Sequence, residues 1–584
     1  MEGQPATLAR YLRRAVVLGV VAGLAAIYLV IVGIVPAFEL RPLITGVLGL
    51  GLTVPVVAIL VIAYHAGRTP NTWPAPTGGP LHRVVPPIVT GLIAGVGLGG
   101  LIVIEELFSP RDILPKLTPQ TTNIIGLGFE YPFGPLAIIG LCTSLGVLAA
   151  ILHVLEARAR RALVIAVATV LTFGLVEPLL RVMLLQLGRS DLAAFLYQAG
   201  RHGLTPIAAL TVFILVLLIG LVWQYRGERV RRRYERLPSA RRTSVRYGSF
   251  ALVGLILLVL PAIIGSFLSE TIGTVGLYLL MGLGLNIVVG YAGLLDLGYV
   301  AFFAVGAYAT ALLTSPVSSL SWEMNFWIAL PLVMVVAAIT GIAIGAPVLR
   351  LRGDYLAIVT LGFGEIVRIL LLSDWLRPWF GGAQGILSIP PPELLGIRFF
   401  GPQQLYYPIL IAVILGAGVS WSLANSRVGR AWNAMREDED VAEATGINTT
   451  RYKLLAFSTG AVFGCLAGAF FSIKIGSVFP HRLDLLVSIT VLSLIILGGM
   501  GSIRGVIVGA FVLVGLPELL REFGEYRLLI YGAVLVSMML VRPEGLLPSA
   551  TRQRELHDEE TDESQYLTQA ETAIGGPGIS GQPA

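Results

Sequence analysis

The sequence predicts an all-α protein, a bundle of transmembrane helices with about 14–16 spans and a short cytoplasmic helix. Hydrophobic residues make up 55% of the 584 positions and charged residues only 13%, with a mean hydropathy of +0.81. Soluble globular chains carry about 25% charged residues. Apolar runs of about 20 residues, the length needed to cross about 30 Å of hydrocarbon, recur along the chain. The lipid bilayer therefore organises the fold.

The N-terminal part, 1–225, contains six apolar runs that we interpret as spans. The first follows three arginines, but it is longer than the roughly 7–15 apolar residues of a signal peptide, so we expect it to be retained. Arginines concentrate in alternate loops, which predicts a cytoplasmic N-terminus. The six runs are Ala15–Val35, Leu43–Tyr64, Val84–Ile104, Phe133–Leu155, Ala162–Leu185 and Leu204–Tyr225.

A basic segment, 226–246, separates this part from a second hydrophobic block. It carries nine arginines together with Pro238. Such a segment favours an orientation signal beside anionic lipid headgroups, with a regulatory or nucleic-acid role as the alternative. Because basic residues elsewhere also lie in short clusters between apolar runs, we expect no nucleic-acid partner. The segment therefore predicts a cytoplasmic linker.

The second block, 247–548, contains ten further apolar runs. Counting crossings from a cytoplasmic linker places the loop 426–453 and the C-terminus inside. The last short pair is interrupted by glycines, so it is either a re-entrant hairpin or two short spans. The runs are Gly248–Leu268, Ile272–Gly290, Leu294–Leu313, Phe326–Leu349, Leu356–Leu372, Tyr407–Ala424, Leu454–Ile475, Leu485–Leu497, Val506–Leu516 and Leu528–Val541.

The C-terminal segment, 549–584, differs in composition from everything before it. It begins with six acidic residues within nine positions and ends in Gly, Pro and Ser. A segment of this kind has too little apolar surface to fold on its own. We expect a disordered tail.

The longest polar loop of the second block predicts a short cytoplasmic helix. Acids favour the start of a helix because they face the positive end of its dipole. Gly446 suits the left-handed position just after a helix end. On spacing alone an ordinary surface helix is an equal alternative. The residues of this candidate helix are Glu437, Asp438, Glu439, Asp440, Val441, Ala442, Glu443, Ala444 and Gly446.

Several residues inside or beside apolar runs are candidates for packing or for a transport pathway. Glycines at successive i+4 positions, as in Gly460–Gly468, predict close helix packing in lipid. Glu365 and Arg368, and likewise Glu177 and Arg181, are spaced to form structural ion pairs on a helix. Irregular backbone at membrane depth survives only beside protein or a cavity. The candidate pathway residues at such breaks are Gly290, Gly293, Asp296, Gly298, Tyr299, Gly498, Gly499 and Gly501.

For Asp296, a role at a helix end or in packing is slightly favoured over substrate contact. Catalytic and metal-binding patterns are absent from the sequence. None of its three lysines follows the pattern G-x-x-x-x-G-K-[ST], and it contains no H-E-x-x-H motif. We therefore expect no catalytic residue, no bound metal and no cofactor on this chain. Any ATPase that drives it must be a separate polypeptide.

From Thr271 to Pro548 the sequence resembles the permeases of branched-chain amino acid ABC importers, in particular their larger, M-type Liv subunit. The resemblance depends on GYAGLLDLGYVAFFAVGAY at 290–308, LRLRGDYLAIVTLGFGEIVR at 349–368, the loop 429–448 and LGGMGSIRG at 497–505. It implies that the Glu437–Gly446 helix is the coupling helix that docks on an ATPase. It also implies a second, shorter permease, two ATPase subunits that bind ATP and Mg²⁺, and an extracytoplasmic substrate-binding protein.

The sequence departs from this family in three places. The outer Thr-Gly-Gly segment of the family reads FGGAQGI at 380–386, the coupling signature is the short EATGIN at 443–448, and the six-span N-terminal part has no recognised counterpart. A urea or short-amide importer permease is the near alternative, because such relatives share these motifs. An ATP-independent channel or secondary transporter is less favoured, because it would carry more ionisable residues in its spans.

Overall fold

The structure is a computed structural model that describes residues 8–39, 41–68, 81–108, 112–198, 202–235, 239–348, 354–519, 532, 536 and 545–548. Nearly all of its regular elements are helices. Only two hairpins of two short antiparallel strands interrupt them, formed by Pro42–Ile44 with Leu48–Gly49 and by Glu393–Leu394 with Ile397–Arg398. The predicted all-α polytopic class is confirmed.

The chain divides into two compact units, Met1–Leu255 and Ile256–Ala584. Helices occupy most of the predicted linker, since one helix ends at Glu235 and the next begins at Ser239. Residues 236–238, with Pro238, and the predicted tail at 549–584 lie outside the described residues.

The first unit is built from helices whose buried faces are rich in glycine and alanine. Its long helices expose large apolar side chains on their other faces, as expected where lipid replaces water. Its helices are Leu8–Ile31, Ile34–Phe38, Leu50–Ala66, Leu81–Phe108, Pro119–Ile125, Phe133–Val154, Ala157–Leu175, Glu177–Gln186, Ser190–Leu196 and Pro206–Glu235.

The predicted span Ala162–Leu185 was wrong as a single straight helix. The helix Ala157–Leu175 ends near Val176, and Glu177–Gln186 follows at an angle of 77°. Pro178 favours this break because it fits the first turn of a new helix but disrupts a helix interior. The buried Glu177 carboxylate accepts a hydrogen bond from the Gly203 amide at 2.6 Å. The predicted pairing with Arg181 is present at 3.8 Å.

The second unit contains the remaining described helices. The two predicted runs at its start form one helix, Ser239–Leu285, which is broken at Gly265 with φ +76°. The others are Asn286–Tyr291 (π), Val300–Thr314, Phe326–Val348, Asp354–Leu372, Arg377–Phe380, Gly382–Gln384 (3₁₀), Pro402–Ala424, Arg427–Glu437, Glu439–Ala444, Thr449–Ile475, Pro480–Arg482 (3₁₀), Leu485–Gly498, Ile503–Ala510, Phe511–Gly515 (π) and Leu516–Leu519.

Among the described residues, ten helices are long and apolar enough to cross a membrane, or eleven with the bent pair in the first unit. This number is below the predicted 14–16. Leu50–Ala66 and Val300–Thr314 are apolar but shorter. The run Leu528–Val541 lies almost entirely outside the described residues. The multi-pass character is therefore clear, whereas the exact number of spans stays a prediction.

Close helix packing in the second unit depends on glycines, as their spacing predicts. A Cβ atom at Gly468 would overlap the Phe303 carbonyl oxygen, and one at Gly306 would overlap the carbonyl oxygen of Cys465. The Cys465 thiol also donates to the Phe302 carbonyl at 2.9 Å. The helices Val300–Thr314 and Thr449–Ile475 therefore touch backbone to backbone, which is how small residues stabilise helix pairs in lipid.

We expect Gly468→Ala to destabilise the folded protein by about 1–3 kcal/mol, because the added methyl group forces this tightly packed pair apart. The matched control is Gly418→Ala, since a Cβ at Gly418 meets no atom within 4 Å. Thermal aggregation of the two variants in detergent measures the difference. Equal midpoints for Gly468→Ala and the control would contradict the packing argument.

Candidate functional site

The first glycine-rich break follows the π-helix Asn286–Tyr291 and precedes the helix Val300–Thr314. Gly293 has φ +72°, a conformation that glycine adopts readily. Asp296 is 2% exposed, and its Oδ1 accepts a hydrogen bond from the Gly298 amide at 2.9 Å. Asp296 therefore closes a turn just before a helix, which agrees with the favoured helix-end role.

Gly298 and Tyr299, at the end of this break, are enclosed by neighbouring helices. A Cβ at Gly298 would overlap the Thr360 carbonyl oxygen. Tyr299 is fully buried, and its hydroxyl donates to the Gly460 carbonyl at 2.7 Å. These two residues hold the break against the Asp354–Leu372 and Thr449–Ile475 helices.

A small cavity lies beside the first break. Its volume is about 110 Å³, and it is open on one side between the break and the Asp354–Leu372 helix. Glu365 lies on its wall and pairs with Arg368, whose Nε donates to both carboxylate oxygens at 3.0 Å, so the predicted structural pair is confirmed. The apolar residues Leu297, Val300, Leu361, Leu483 and Leu485 line the rest together with Gly364.

The second break joins the antiparallel helices Leu485–Gly498 and Ile503–Ala510. Gly499 and Gly501 have φ +115° and +75°. Exposed carbonyl groups at the end of the first helix are satisfied from a distant segment, because the Leu546 amide donates to the Leu497 carbonyl at 2.8 Å and the Leu547 amide to that of Gly498 at 2.9 Å. The irregular backbone is thus covered by protein, as membrane depth requires.

Asn286 joins the two breaks, and the sequence analysis missed it. Its side chain is fully buried, and Oδ1 accepts a hydrogen bond from the Gly501 amide at 2.8 Å. A Cβ at Gly290 would lie 2.7 Å from the Gly501 nitrogen, so the two glycines are in backbone contact. A buried polar side chain needs a hydrogen-bond partner. The signal was therefore present as an amide inside an apolar run, but only ionisable residues had been considered.

The polar loop forms two helices where one was expected. Glu437 ends the Arg427–Glu437 helix, and the second helix comprises Glu439–Ala444. Asp438 separates them, because its side chain accepts the amides of Asp440 and Val441 at 2.9 Å and so caps the second helix. The expected helix Glu437–Gly446 is therefore shorter at both ends.

Gly446 ends the second helix in the predicted left-handed conformation, with φ +92°. Its amide donates to the Glu443 carbonyl at 2.9 Å, and the Ile447 amide donates to that of Ala442 at 3.1 Å. This pair of bonds is the Schellman arrangement, in which a glycine after the helix lets the chain turn back.

The Glu439–Ala444 helix presents an exposed face and is anchored on the other. Val441 is 58% exposed, and Glu443 and Ala444 are also exposed, whereas Ala442 is buried. Beneath it, Glu439 forms an ion pair with the nearly buried Lys453 at 2.5 Å. The fully buried Trp432 donates from Nε1 to the Tyr452 carbonyl at 2.8 Å. The helix pair is therefore fixed to the start of the Thr449–Ile475 helix.

Arg436 connects this helix pair directly to the first break. Its Nη1 donates to the Gly290 carbonyl at 2.8 Å. A Cβ at Gly293 would lie 2.7 Å from the Arg436 Cγ, so the aliphatic part of the side chain packs on that glycine. The exposed helix, the first break and, through Asn286, the second break thus form one continuous set of contacts.

The comparisons with known proteins bear on the second unit. A family model described as "Branched-chain amino acid transport system / permease component" matches residues 267–540. The LivM permease protein of the high-affinity branched-chain amino acid transport system of Salmonella typhimurium is 44% identical over 303 residues, which cover 48% of this chain and 70% of the relative.

More distant relatives match the same part of the chain. A probable LivM permease of Methanocaldococcus jannaschii is 24% identical over 322 residues, 47% of this chain and 91% of the relative. The LivH permease protein of Escherichia coli is 23% identical over 290 residues, 46% and 91% of the two chains. No solved structure matches significantly. The chain belongs to the branched-chain amino acid ABC transporter permeases, of the LivM type.

Proposed function

We propose that this chain is the permease subunit of an ATP-driven importer of branched-chain, hydrophobic amino acids. It forms part of the translocation pathway and is coupled to separate ATPase subunits. The contact of Arg436 with Gly290 carries the proposal, because it links an exposed helix to a break in the membrane-spanning region. The names of the relatives support the substrate class.

The proposed assembly contains a second, shorter permease, two ATPases that bind ATP and Mg²⁺, and an extracytoplasmic substrate-binding protein. This chain binds no cofactor of its own, and both of its termini are cytoplasmic. The domain boundaries 1–225, 226–246, 247–548 and 549–584 belong to the same proposal. The ATPase docks on the exposed face formed by Val441, Glu443 and Ala444.

The proposed mechanism is alternating access driven from that face. Closure of the ATPases displaces the Glu439–Ala444 helix. The Glu439–Lys453 ion pair and the Trp432 hydrogen bond make the neighbouring helices move with it. Arg436 transfers the displacement to Gly290, and Asn286 transfers it to Gly501. The two breaks then move together and change access to an apolar pathway between the helices.

Glu443→Arg tests the docking face. We expect ATP-dependent leucine uptake in proteoliposomes containing the complete complex to fall at least about tenfold, because reversing a charge in an interface is costly. The ATPase should also no longer co-purify with the permease. Glu323→Arg, a charge reversal of an exposed acid in the loop after Thr314, is the control and should leave uptake unchanged.

The same assay separates the alternatives. Uptake of urea but not leucine by the wild-type complex would retain the transporter family and refute the substrate. Uptake by this chain without ATPases would refute the ABC mechanism in favour of a secondary transporter. Undiminished leucine uptake by Glu443→Arg would refute the docking face alone.

Arg436→Gln tests transmission separately from docking. A hydrogen bond from a charged group contributes about 1.5–3 kcal/mol, so we expect the leucine imported per ATP hydrolysed to fall about tenfold or more. The ATPases should still co-purify, because the exposed face is intact. Arg430→Ala removes an exposed arginine from the same helix and is the matched control. Loss of ATPase binding in Arg436→Gln would contradict the division between docking and transmission.

A further inference from the structure

The first unit contains a compact aromatic and basic cluster that the transport mechanism does not use. The rings of Tyr64 and His153 stack with their centroids 4.4 Å apart and their planes within 5°. The His153 Nε2 donates to the Tyr64 carbonyl at 2.8 Å. A Cβ at Gly67 would lie 2.6 Å from this imidazole and 2.9 Å from the Arg83 carbonyl oxygen. Three helix ends therefore meet here in direct contact.

Positive charge converges on this cluster. The Arg68 Cζ lies 5.1 Å from the centroid of the Tyr64 ring, and the Arg160 Cζ lies 6.0 Å from the same centroid. Arg83 joins them within electrostatic range of His153. The ring face attracts each guanidinium, but the like charges repel one another.

No anionic group within the described part of the chain neutralises this convergence. The guanidinium groups of Arg68 and Arg160 form no ion pair within 4 Å with a described carboxylate. The sequence between 69 and 80 contains no Asp or Glu. Two helices end here and two begin here, so their dipoles, each equivalent to about half a charge, cancel. The cluster is left with a net positive charge of three arginines.

The location of the cluster indicates which anion it holds. It lies at the ends of the apolar helices Leu50–Ala66, Leu81–Phe108, Phe133–Val154 and Ala157–Leu175. Arg14, from the Leu8–Ile31 helix, reaches the same place and donates to the Arg68 carbonyl at 2.7 Å. Helix ends that leave the hydrocarbon lie at the level of the lipid phosphates. An anionic phospholipid supplies negative charge at that level.

We propose that Arg68, Arg83 and Arg160, gathered around Tyr64, bind the phosphate group of an anionic phospholipid headgroup. The planar guanidinium fork matches phosphate oxygens and can donate two hydrogen bonds to them. A signal for membrane orientation needs only positive charge on one side and does not need several arginines to converge on one ring. The site gives the first unit a binding function that is independent of the transported substrate.

Native mass spectrometry of the full chain, titrated with phosphatidylglycerol or phosphatidylcholine, tests this site. We expect Arg68→Gln and Arg160→Gln each to raise the dissociation constant for one bound phosphatidylglycerol about fivefold, and the double variant about 25-fold. Arg189→Gln removes an exposed arginine from another loop of the same unit and should change it less than about twofold. Binding of phosphatidylcholine should be weak in all variants.

A second pair of substitutions guards against misfolding. Arg68→Lys with Arg160→Lys retains the charge and should keep most of the phosphatidylglycerol binding, so a loss in the Gln variants alone identifies an electrostatic site. Phosphatidylglycerol binding that is equal in the double Gln variant and in Arg189→Gln would overturn the proposal. Displacement of the lipid by excess inorganic phosphate, with equal heat protection by that ion in phosphatidylcholine, would identify a small-anion site and overturn the lipid assignment.

Discussion

The second unit depends on one constraint: backbone that leaves the helical conformation at membrane depth must find its hydrogen bonds within the protein. Two breaks violate helical geometry, and both meet this requirement through tertiary contacts. Asn286 accepts the Gly501 amide, and the chain at Leu546–Leu547 donates to carbonyls at the end of the Leu485–Gly498 helix. Because these contacts come from sequence-distant elements, the breaks are tied to one another and to the surrounding helices.

That constraint also explains why glycine is concentrated at the breaks. Only a residue without a side chain lets Gly290 touch the Gly501 backbone and lets Arg436 lie on Gly293. Close backbone contact leaves no room for independent movement, so a displacement at one break is felt at the other. The same absence of side chains that permits tight packing thus makes the two breaks one mechanical element.

Sequence patterns predicted features that depend on neighbours along the chain. Hydropathy predicted the helical class, i+3 spacing predicted the Glu365–Arg368 pair, and Gly446 was expected in its left-handed conformation. Features that depend on tertiary contact were missed. Arg436 and Gly290 are 146 residues apart, and Asn286 and Gly501 are 215 apart. Local turn chemistry also had competing solutions, since the acid Asp438 became a helix cap and divided the expected helix.

The polar loop separates recognition from transmission, and burial decides which residue does which. Val441 and Glu443 are exposed and touch little of this chain, so they can change with a partner surface at low cost to the fold. Trp432, Lys453 and Arg436 face inward and hold the loop to the membrane-spanning helices. Exposed charges contribute little to stability, whereas buried hydrogen-bonded charges contribute more. A force applied to the exposed face is therefore carried inward through the contacts that are most costly to break.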